Sequence, residues 1–151
     1  MTQPAPQPSG APGPSGPRAG FGIRLGAFLL DGLIVGIPLN LALFAIDVFV
    51  VRQSLGLIVA IAYSVFFIGS GSGQTIGMKI CNIRAIDAET GGRVDYGKAV
   101  VRYLVGLASG LACLIGYFWM LWDPEKQTWH DKVAGTYVVP TSAYPVAEWP
   151  G

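Results

Sequence analysis

The chain has 151 residues, of which 52% are apolar and only 13% are charged, against about 25% charged residues in an average soluble protein. So few ionisable side chains cannot cover a water-exposed surface, and the mean hydropathy of +0.50 shows that apolar residues take their place. The sequence therefore predicts one domain that lies in a lipid bilayer. The net charge of +1 argues against nucleic-acid binding, and two cysteines supply neither a disulfide framework nor a zinc site.

The N-terminal segment, residues 1–18, is predicted to be a disordered tail. It holds six of the eleven prolines and no charged side chain before Arg18. A segment of this composition cannot bury enough apolar surface to fold.

Three hydrophobic segments follow, and they predict an all-α membrane protein built as a compact bundle of three hydrophobic helices. They run from Leu25 to about Ala45, from Ser54 to about Ile68, and from about Tyr103 to Trp122. At about 1.5 Å per residue, the first and third are long enough to cross a hydrocarbon layer of roughly 30 Å, and the second is slightly short. Pro38 predicts a kink in the first helix, because proline removes a backbone hydrogen bond.

The third segment has two interpretations. It is uncharged, which favours a full span, but Ser109 and Gly110 near its middle also fit a broken, re-entrant pair of helices. In the re-entrant case, the loop before this segment and the tail after it meet on one face and can pair as strands.

The distribution of lysine and arginine predicts a cytoplasmic N-terminus. Seven lie on the N-terminal side or in the loop between the second and third segments, whereas three lie in the first loop and the tail. The seven are Arg18, Arg24, Lys79, Arg84, Arg93, Lys98 and Arg102, and the three are Arg52, Lys126 and Lys132.

The loop between the second and third segments is predicted to hold a small polar hairpin. Residues 81–86 alternate with a period of two, and the turn signal Glu89-Thr90-Gly91-Gly92 follows. The glycine run of residues 69–73, followed by Gly77 and Lys79, invites comparison with a phosphate-binding loop, but the Gly-Lys-Ser/Thr ending is missing. A hinge is the favoured interpretation.

Asp31 is the leading candidate functional residue, because an ionised carboxylate at the centre of a membrane helix costs at least about 2.5 kcal/mol. It lies seven residues after Arg24, which places the two side chains on one helix face, roughly 10 Å apart along the axis. Asp31 then acts either as a relay for protons or cations or as a structural ion-pair or hydrogen-bonding group, with Arg24 extending to the headgroups.

The tail supplies an aromatic belt and one histidine. Trp119, Trp122 and Trp129 are typical of a helix end at the membrane interface. His130 lies beside Asp131, but no candidate nucleophile or metal cluster accompanies the pair, so we expect no enzyme activity, no catalytic residue, no metal and no cofactor.

Three sequence blocks resemble the RDD family of small multi-pass integral membrane proteins. They are Gly20-Phe-Gly-Ile-Arg24 with Phe28-Leu-Leu-Asp31, then Gly73-Gln-Thr-Ile-Gly-Met-Lys79, then Asp123-Pro124 with the stretch from Gln127 to Val138. The resemblance implies a domain over residues 19–140, a C-terminal tail over residues 141–151, and a bacterial plasma-membrane protein. The arginine and two aspartates that name the family correspond to Arg24, Asp31 and Asp131. Secondary candidates in the same blocks are Gln74, Thr75, Lys79 and His130. Trp129 stands where the family motif often has leucine.

Two functions remain open. In the first, a homo-oligomer moves protons or monovalent cations through Asp31, with Arg24 setting the electrostatics and Asp131 gating or anchoring. In the second, the protein is a membrane adaptor or assembly factor that binds another membrane protein through small residues spaced four apart, such as Gly32 and Gly36. Arg24 and Asp31 are then structural.

Overall fold

The computed structural model describes residues 17–70, 72–112 and 114–142, so most of the two predicted tails lies outside the described residues. Within these ranges the protein is mostly helical, with one two-stranded sheet. The elements in chain order are α1 (Phe21–Asp31), a π-helical turn (Gly32–Gly36), α2 (Ile37–Ala42), α3 (Phe49–Gly69), α4 (Ile76–Ile80), β1 (Ile83–Asp87), α5 (Tyr96–Leu111), α6 (Ile115–Phe118), a 3-10 turn (Trp119–Leu121), α7 (Trp129–Ala134) and β2 (Thr136–Pro140).

Two helices are long and apolar enough to cross a membrane. The first is the continuous stretch Phe21–Ala42, with 22 residues, and the second is α3, with 21 residues. Both begin earlier than predicted, because a charged residue is accommodated inside the first turn of each helix. Arg24 is paired within the protein, and the guanidinium of Arg52 lies 5.9 Å from the ring centre of Phe49.

The irregularity predicted at Pro38 takes the form of a π-helical turn that directly follows Asp31. The N–H of Ile37 donates to the carbonyl of Gly32, five residues earlier. Pro38 has no N–H to continue the regular helical pattern, and a wider turn accommodates this loss. The side chain of Asn40 donates to the carbonyl of Gly36 at 2.8 Å.

The third hydrophobic segment is not a straight span. It begins at Tyr96 as α5, breaks after Leu111, and continues as α6 and the 3-10 turn at an angle of 112°. The break falls slightly later than Ser109 and Gly110. Leu114 adopts a left-handed backbone conformation with φ of 63°, and its N–H donates to the carbonyl of Ser109 at 2.9 Å.

A small antiparallel hairpin is present as predicted, but it does not close within the middle loop, which supplies only β1. Its partner is β2 from the tail, paired antiparallel with Ile83 opposite Pro140 and Asp87 opposite Thr136. The turn after β1 closes through a bond from the N–H of Gly91 to the carbonyl of Asp87 and leads to α5. This is the strand pairing expected for the re-entrant alternative.

The core lies at one end of the bundle, which we call the ribbon end because it carries β1 and β2. Its buried members come from α1, α3, α4, α5, the two strands and the segments that precede α1 and α5: Ala19, Ala27, Ile68, Met78, Ile83, Ala85, Val94, Ala99 and Val138. Only 6% of the most apolar window of each long helix is buried, so their remaining surface is available to lipid. The N–H of Ala19 donates to the carbonyl of Val138 at 2.8 Å, which brings the start of the first span, the middle loop and the tail together.

Candidate functional sites

Asp131 is the centre of a buried ion cluster at the ribbon end, and we call Arg24, Arg102 and Asp131 the Asp131 cluster. The Asp131 side chain is fully buried. Nη2 of Arg24 donates to Oδ2 at 2.6 Å, and Nη1 of Arg102 donates to Oδ1. Three segments that are far apart in sequence therefore meet at one carboxylate.

Local sequence fixes the position of this carboxylate. Thr128 and Asp131 form a capping box at the start of α7, in which the N–H of Thr128 donates to Asp131 Oδ2 at 3.0 Å. Gly135 ends the helix in a left-handed conformation with φ of 66°, a conformation that glycine adopts without strain. Short helix α7 thus holds Asp131 towards α1 and α5.

The Asp131 cluster has more positive than negative charge. Two guanidinium groups share one carboxylate, and their side chains are only 11% and 13% exposed. Arg24 Nη1 also donates to the carbonyl of Lys126 at 3.1 Å, and Arg102 Nη1 donates to Thr136 Oγ1 at 2.9 Å. These neutral acceptors satisfy donors but leave one excess positive charge.

His130 lies beside the cluster without joining its hydrogen bonds. Its Nε2 is 3.8 Å from Asp131 Oδ1, which is too far for a hydrogen bond. Burial, followed by the positive charges of Arg102 and Arg24, lowers the pKa of His130 well below 6.5, so the ring is neutral at pH 7. Its Nδ1 has no hydrogen-bond partner in the described part of the chain, and its ring packs 5.0 Å from that of Tyr117.

Asp31 forms a second polar site, distinct from the Asp131 cluster. Its Oδ1 accepts from the hydroxyl of Tyr63 at 2.7 Å and from the N–H of Gly77 at 2.7 Å. Its Oδ2 accepts from the hydroxyl of Thr75 at 2.6 Å. Asp31 therefore links α1, α3 and α4 through neutral donors.

Arg24 does not form an ion pair with Asp31. Arg24 contacts Asp131 instead. The physical reason is distance, because seven residues along a helix separate Arg24 and Asp31 by roughly 10 Å, whereas α7 brings Asp131 directly to Arg24. The hydrogen-bonding interpretation of Asp31 agrees with its contacts.

The glycine-rich segment anchors the strand. Gly73 adopts a φ of 64°, and its carbonyl accepts from the N–H of Ala85 at 2.8 Å. Gln74 Nε2 donates to the carbonyl of Ile83 at 2.9 Å, and Thr75 caps α4 through the N–H of Met78. These contacts hold the segment against β1 and α4, and the hinge stays a prediction.

Among the secondary candidates, Thr75 is part of the Asp31 site, and Gln74, the residue before it, is hydrogen-bonded to β1. Lys79 is exposed, and its Nζ lies 5.8 Å from the ring centre of Phe67, away from both carboxylates. His130 borders the Asp131 cluster.

Sequence reasoning missed Arg102 and Tyr63 as site residues. Arg102 was counted only as a loop cation, although its position just before an uncharged apolar run was a usable signal of a buried pair. Tyr63 lies in an apolar stretch that offers no such signal. Within residues 17–70, 72–112 and 114–142, no group of three His, Cys, Asp or Glu side chains is arranged to hold a metal ion.

Comparison with known proteins agrees with the sequence blocks. The sequence profile of the RDD family matches residues 18–135. The chain belongs to the RDD family. Both polar sites of this RDD protein lie within the matched residues.

Relatives of the RDD chain include proteins of Bacillus and of Mycobacterium. The uncharacterized protein YckC of Bacillus subtilis (strain 168) is 34% identical over 126 residues, which cover 80% of this chain and 83% of that protein. The uncharacterized protein YxaI of the same organism is 29% identical over 147 residues, which cover 80% of this chain and 96% of that protein. The proline-rich antigen of Mycobacterium leprae (strain TN) is 33% identical over 86 residues, which cover 55% of this chain and 34% of the antigen. No solved structure matches the RDD chain.

Proposed function

We propose that this RDD protein moves protons or a monovalent cation across the bacterial plasma membrane, with Asp31 as the carboxylate that binds the ion. The observation that carries the proposal is the environment of Asp31. It lies within the first span, and the groups that hydrogen-bond to it are two hydroxyls and one backbone N–H, all neutral. A carboxylate without a cationic partner retains the capacity to take up a proton or a small cation.

A groove between α1–α2 and α3 supports the proposal, because its lining begins one residue after this carboxylate. It has a volume of about 570 Å³ and begins at Gly32, the residue after Asp31. Its polar lining residues are Asn40, Arg52 and Gln53, near the opposite end of the bundle from the ribbon. Polar side chains on a membrane-facing surface favour a water-filled or protein-covered groove over a lipid-filled one.

A homo-oligomer completes the proposal, because one chain leaves this groove open along its side. A second copy that packs on the Gly32 and Gly36 face would enclose the groove, and small residues allow helices to approach closely. The Asp131 cluster then serves as the anchor that holds the re-entrant tail on the first span, and the excess of lysine and arginine at the ribbon end favours a cytoplasmic N-terminus.

The test is ion flux in liposomes that contain the purified full chain. We expect Asp31→Asn to lose proton or monovalent-cation flux while keeping its expression and oligomeric state. The matched control is Asp47→Asn, because Asp47 lies outside the helices at the opposite end of the bundle. Equal flux through the wild type and Asp31→Asn would refute the proposal.

An adaptor function is the second candidate, and one observation favours it. A Cβ atom added at Gly32 or Gly36 would meet no other atom within 4 Å, so this small-residue face is unoccupied in the single chain. If the protein is an adaptor, Gly36→Ile blocks recovery of a membrane-protein partner in detergent, and neither the variant nor the wild type conducts ions. Recovery of the same partner by both proteins would count against it.

A further inference from the structure

The ion pairs at the ribbon end differ in charge balance. Three pairs match one cation with one carboxylate: Arg18 with Glu125, Lys98 with Asp87, and Lys132 with Asp123. The Asp131 cluster has two cations for one carboxylate, and that carboxylate is the most deeply buried of the four. The least hydrated of these centres is thus the one with uncompensated charge.

The hydrogen-bond donors of the cluster are also in excess. A guanidinium has five N–H donors. Arg24 uses two of them, on Lys126 and Asp131, and Arg102 uses two, on Asp131 and Thr136. The other donors of both side chains have no acceptor within the described ranges, and their nitrogen atoms are not among the buried unpaired atoms there, so they are accessible from the protein surface.

The location of the cluster indicates what kind of acceptor reaches it. Arg24 lies in the first turns of the first span. Exposed tryptophans lie next to this end of α1: Phe118 stacks on Phe21 with ring centres 5.6 Å apart, and Trp119 and Trp122 are 37% and 63% exposed. Aromatic residues of this kind concentrate at the depth of the lipid headgroups.

We propose that the Asp131 cluster binds an anionic phosphate group through the unused guanidinium donors of Arg24 and Arg102. A phosphate oxygen matches the planar fork of a guanidinium and neutralises the excess charge. Basic sites between helices at this depth hold the headgroups of anionic lipids. A free phosphate ion has the same chemistry, and the source is separated by experiment.

The test measures the thermal stability of the full chain in nanodiscs. Nanodiscs of phosphatidylcholine alone are compared with discs containing phosphatidylglycerol and with phosphatidylcholine discs in added inorganic phosphate at constant ionic strength. We expect phosphatidylglycerol to raise the melting temperature of the wild type in a saturable manner. A shift with phosphatidylglycerol alone assigns the site to a lipid headgroup, and a shift with both assigns it to either source of phosphate.

Variants with opposite effects on the cluster charge make the test specific. Arg102→Gln removes the excess charge, so apparent affinity for the phosphate group should fall by at least about tenfold. Asp131→Asn increases the excess charge, so affinity should rise even though the protein is less stable. Each variant is compared with its own phosphatidylcholine baseline. Lys132→Gln, taken from a balanced pair, is the control and should keep the wild-type shift.

A further variant keeps the proposal testable if one of these proteins does not fold. Thr136→Asp places a carboxylate beside Arg102 and should abolish the shift by supplying the missing negative charge internally. The proposal is overturned if the wild type shows no shift with either probe, if Arg102→Gln or Thr136→Asp retains the full shift, or if Lys132→Gln loses it equally.

Discussion

At Gly77 the backbone of α4 packs directly against the backbone of the first span, and replacing this glycine with alanine tests how that contact holds Asp31. A Cβ atom at residue 77 would lie 2.1 Å from the carbonyl oxygen of Ala27 and 3.0 Å from Cγ of Asp31. Since ordinary contact begins near 3.4 Å, the two backbones must separate by about 1.3 Å in Gly77→Ala. That displacement breaks the hydrogen bond from the N–H of Gly77 to Asp31, which is 2.7 Å long.

The expected loss combines two contributions. Overpacking between backbones costs about 1 to 3 kcal/mol, and a hydrogen bond to a charged group is worth about 1.5 to 3 kcal/mol. We therefore expect the free energy of unfolding to fall by about 2.5 to 6 kcal/mol in Gly77→Ala.

Reversible unfolding in mixed micelles, followed by circular dichroism, measures this change. Gly22→Ala is the matched control, because Gly22 lies in α1 with no atom within 4 Å of an added Cβ. Its stability should stay unchanged or rise by up to about 1 kcal/mol, since alanine favours helix over glycine. If both variants unfold with the same free energy, the contact between Gly77 and Ala27 does not hold α4 in place.

Three further predictions concern the ribbon end. Asp131→Asn leaves two nearly buried guanidinium groups without their carboxylate and should lower the free energy of unfolding by about 3 to 5 kcal/mol. Glu125→Gln should lower it by less than about 1 kcal/mol, because the carboxylate side chain of that pair is 49% exposed. Similar losses in the two variants would contradict the assignment of Asp131 as the centre of a buried ion cluster. The pKa of His130 is lowered by burial and by two arginines, so the unfolded state binds the proton first and stability should fall as the pH drops below about 6.5. His130→Phe should remove this dependence of the unfolding free energy on pH between pH 7 and pH 5. An unchanged slope of unfolding free energy against pH would show that another group titrates. In a cysteine-free background, Thr90→Cys and Glu125→Cys should react with an impermeant thiol reagent from the same side of the membrane, and Asp47→Cys should react from the other side. Labelling of Thr90→Cys and Glu125→Cys from opposite sides would exclude a re-entrant third segment.

Hydropathy was enough to predict the two spans, because their length and lack of charge are properties of contiguous sequence. It placed their starts too late, since a charged residue was taken to end a membrane helix. Arg24 is instead paired with Asp131, which lies 107 residues away, and no local pattern contains that information.

The errors in the rest of the fold have the same origin. Alternation in residues 81–86 identified a strand but not its partner, because β-strands pair through space. The nearby turn signal favoured a partner within the middle loop, whereas β1 pairs with β2 from the tail. The uncharged third segment was favoured as a full span, since hydropathy does not register the left-handed conformation of Leu114. The family blocks identified Arg24, Asp31 and Asp131 as candidates, but only the structure shows the contacts that divide these residues between two sites.

The pairing of β1 with β2 also constrains how the protein is made. The segment that supplies β2 and Asp131 is synthesised after both long helices. Until then, two guanidinium groups lack their carboxylate and one edge of β1 lacks its hydrogen bonds. Insertion of the helices therefore precedes completion of the fold, and a chain truncated before Trp129 exposes charge and open backbone that membrane quality-control proteases can recognise.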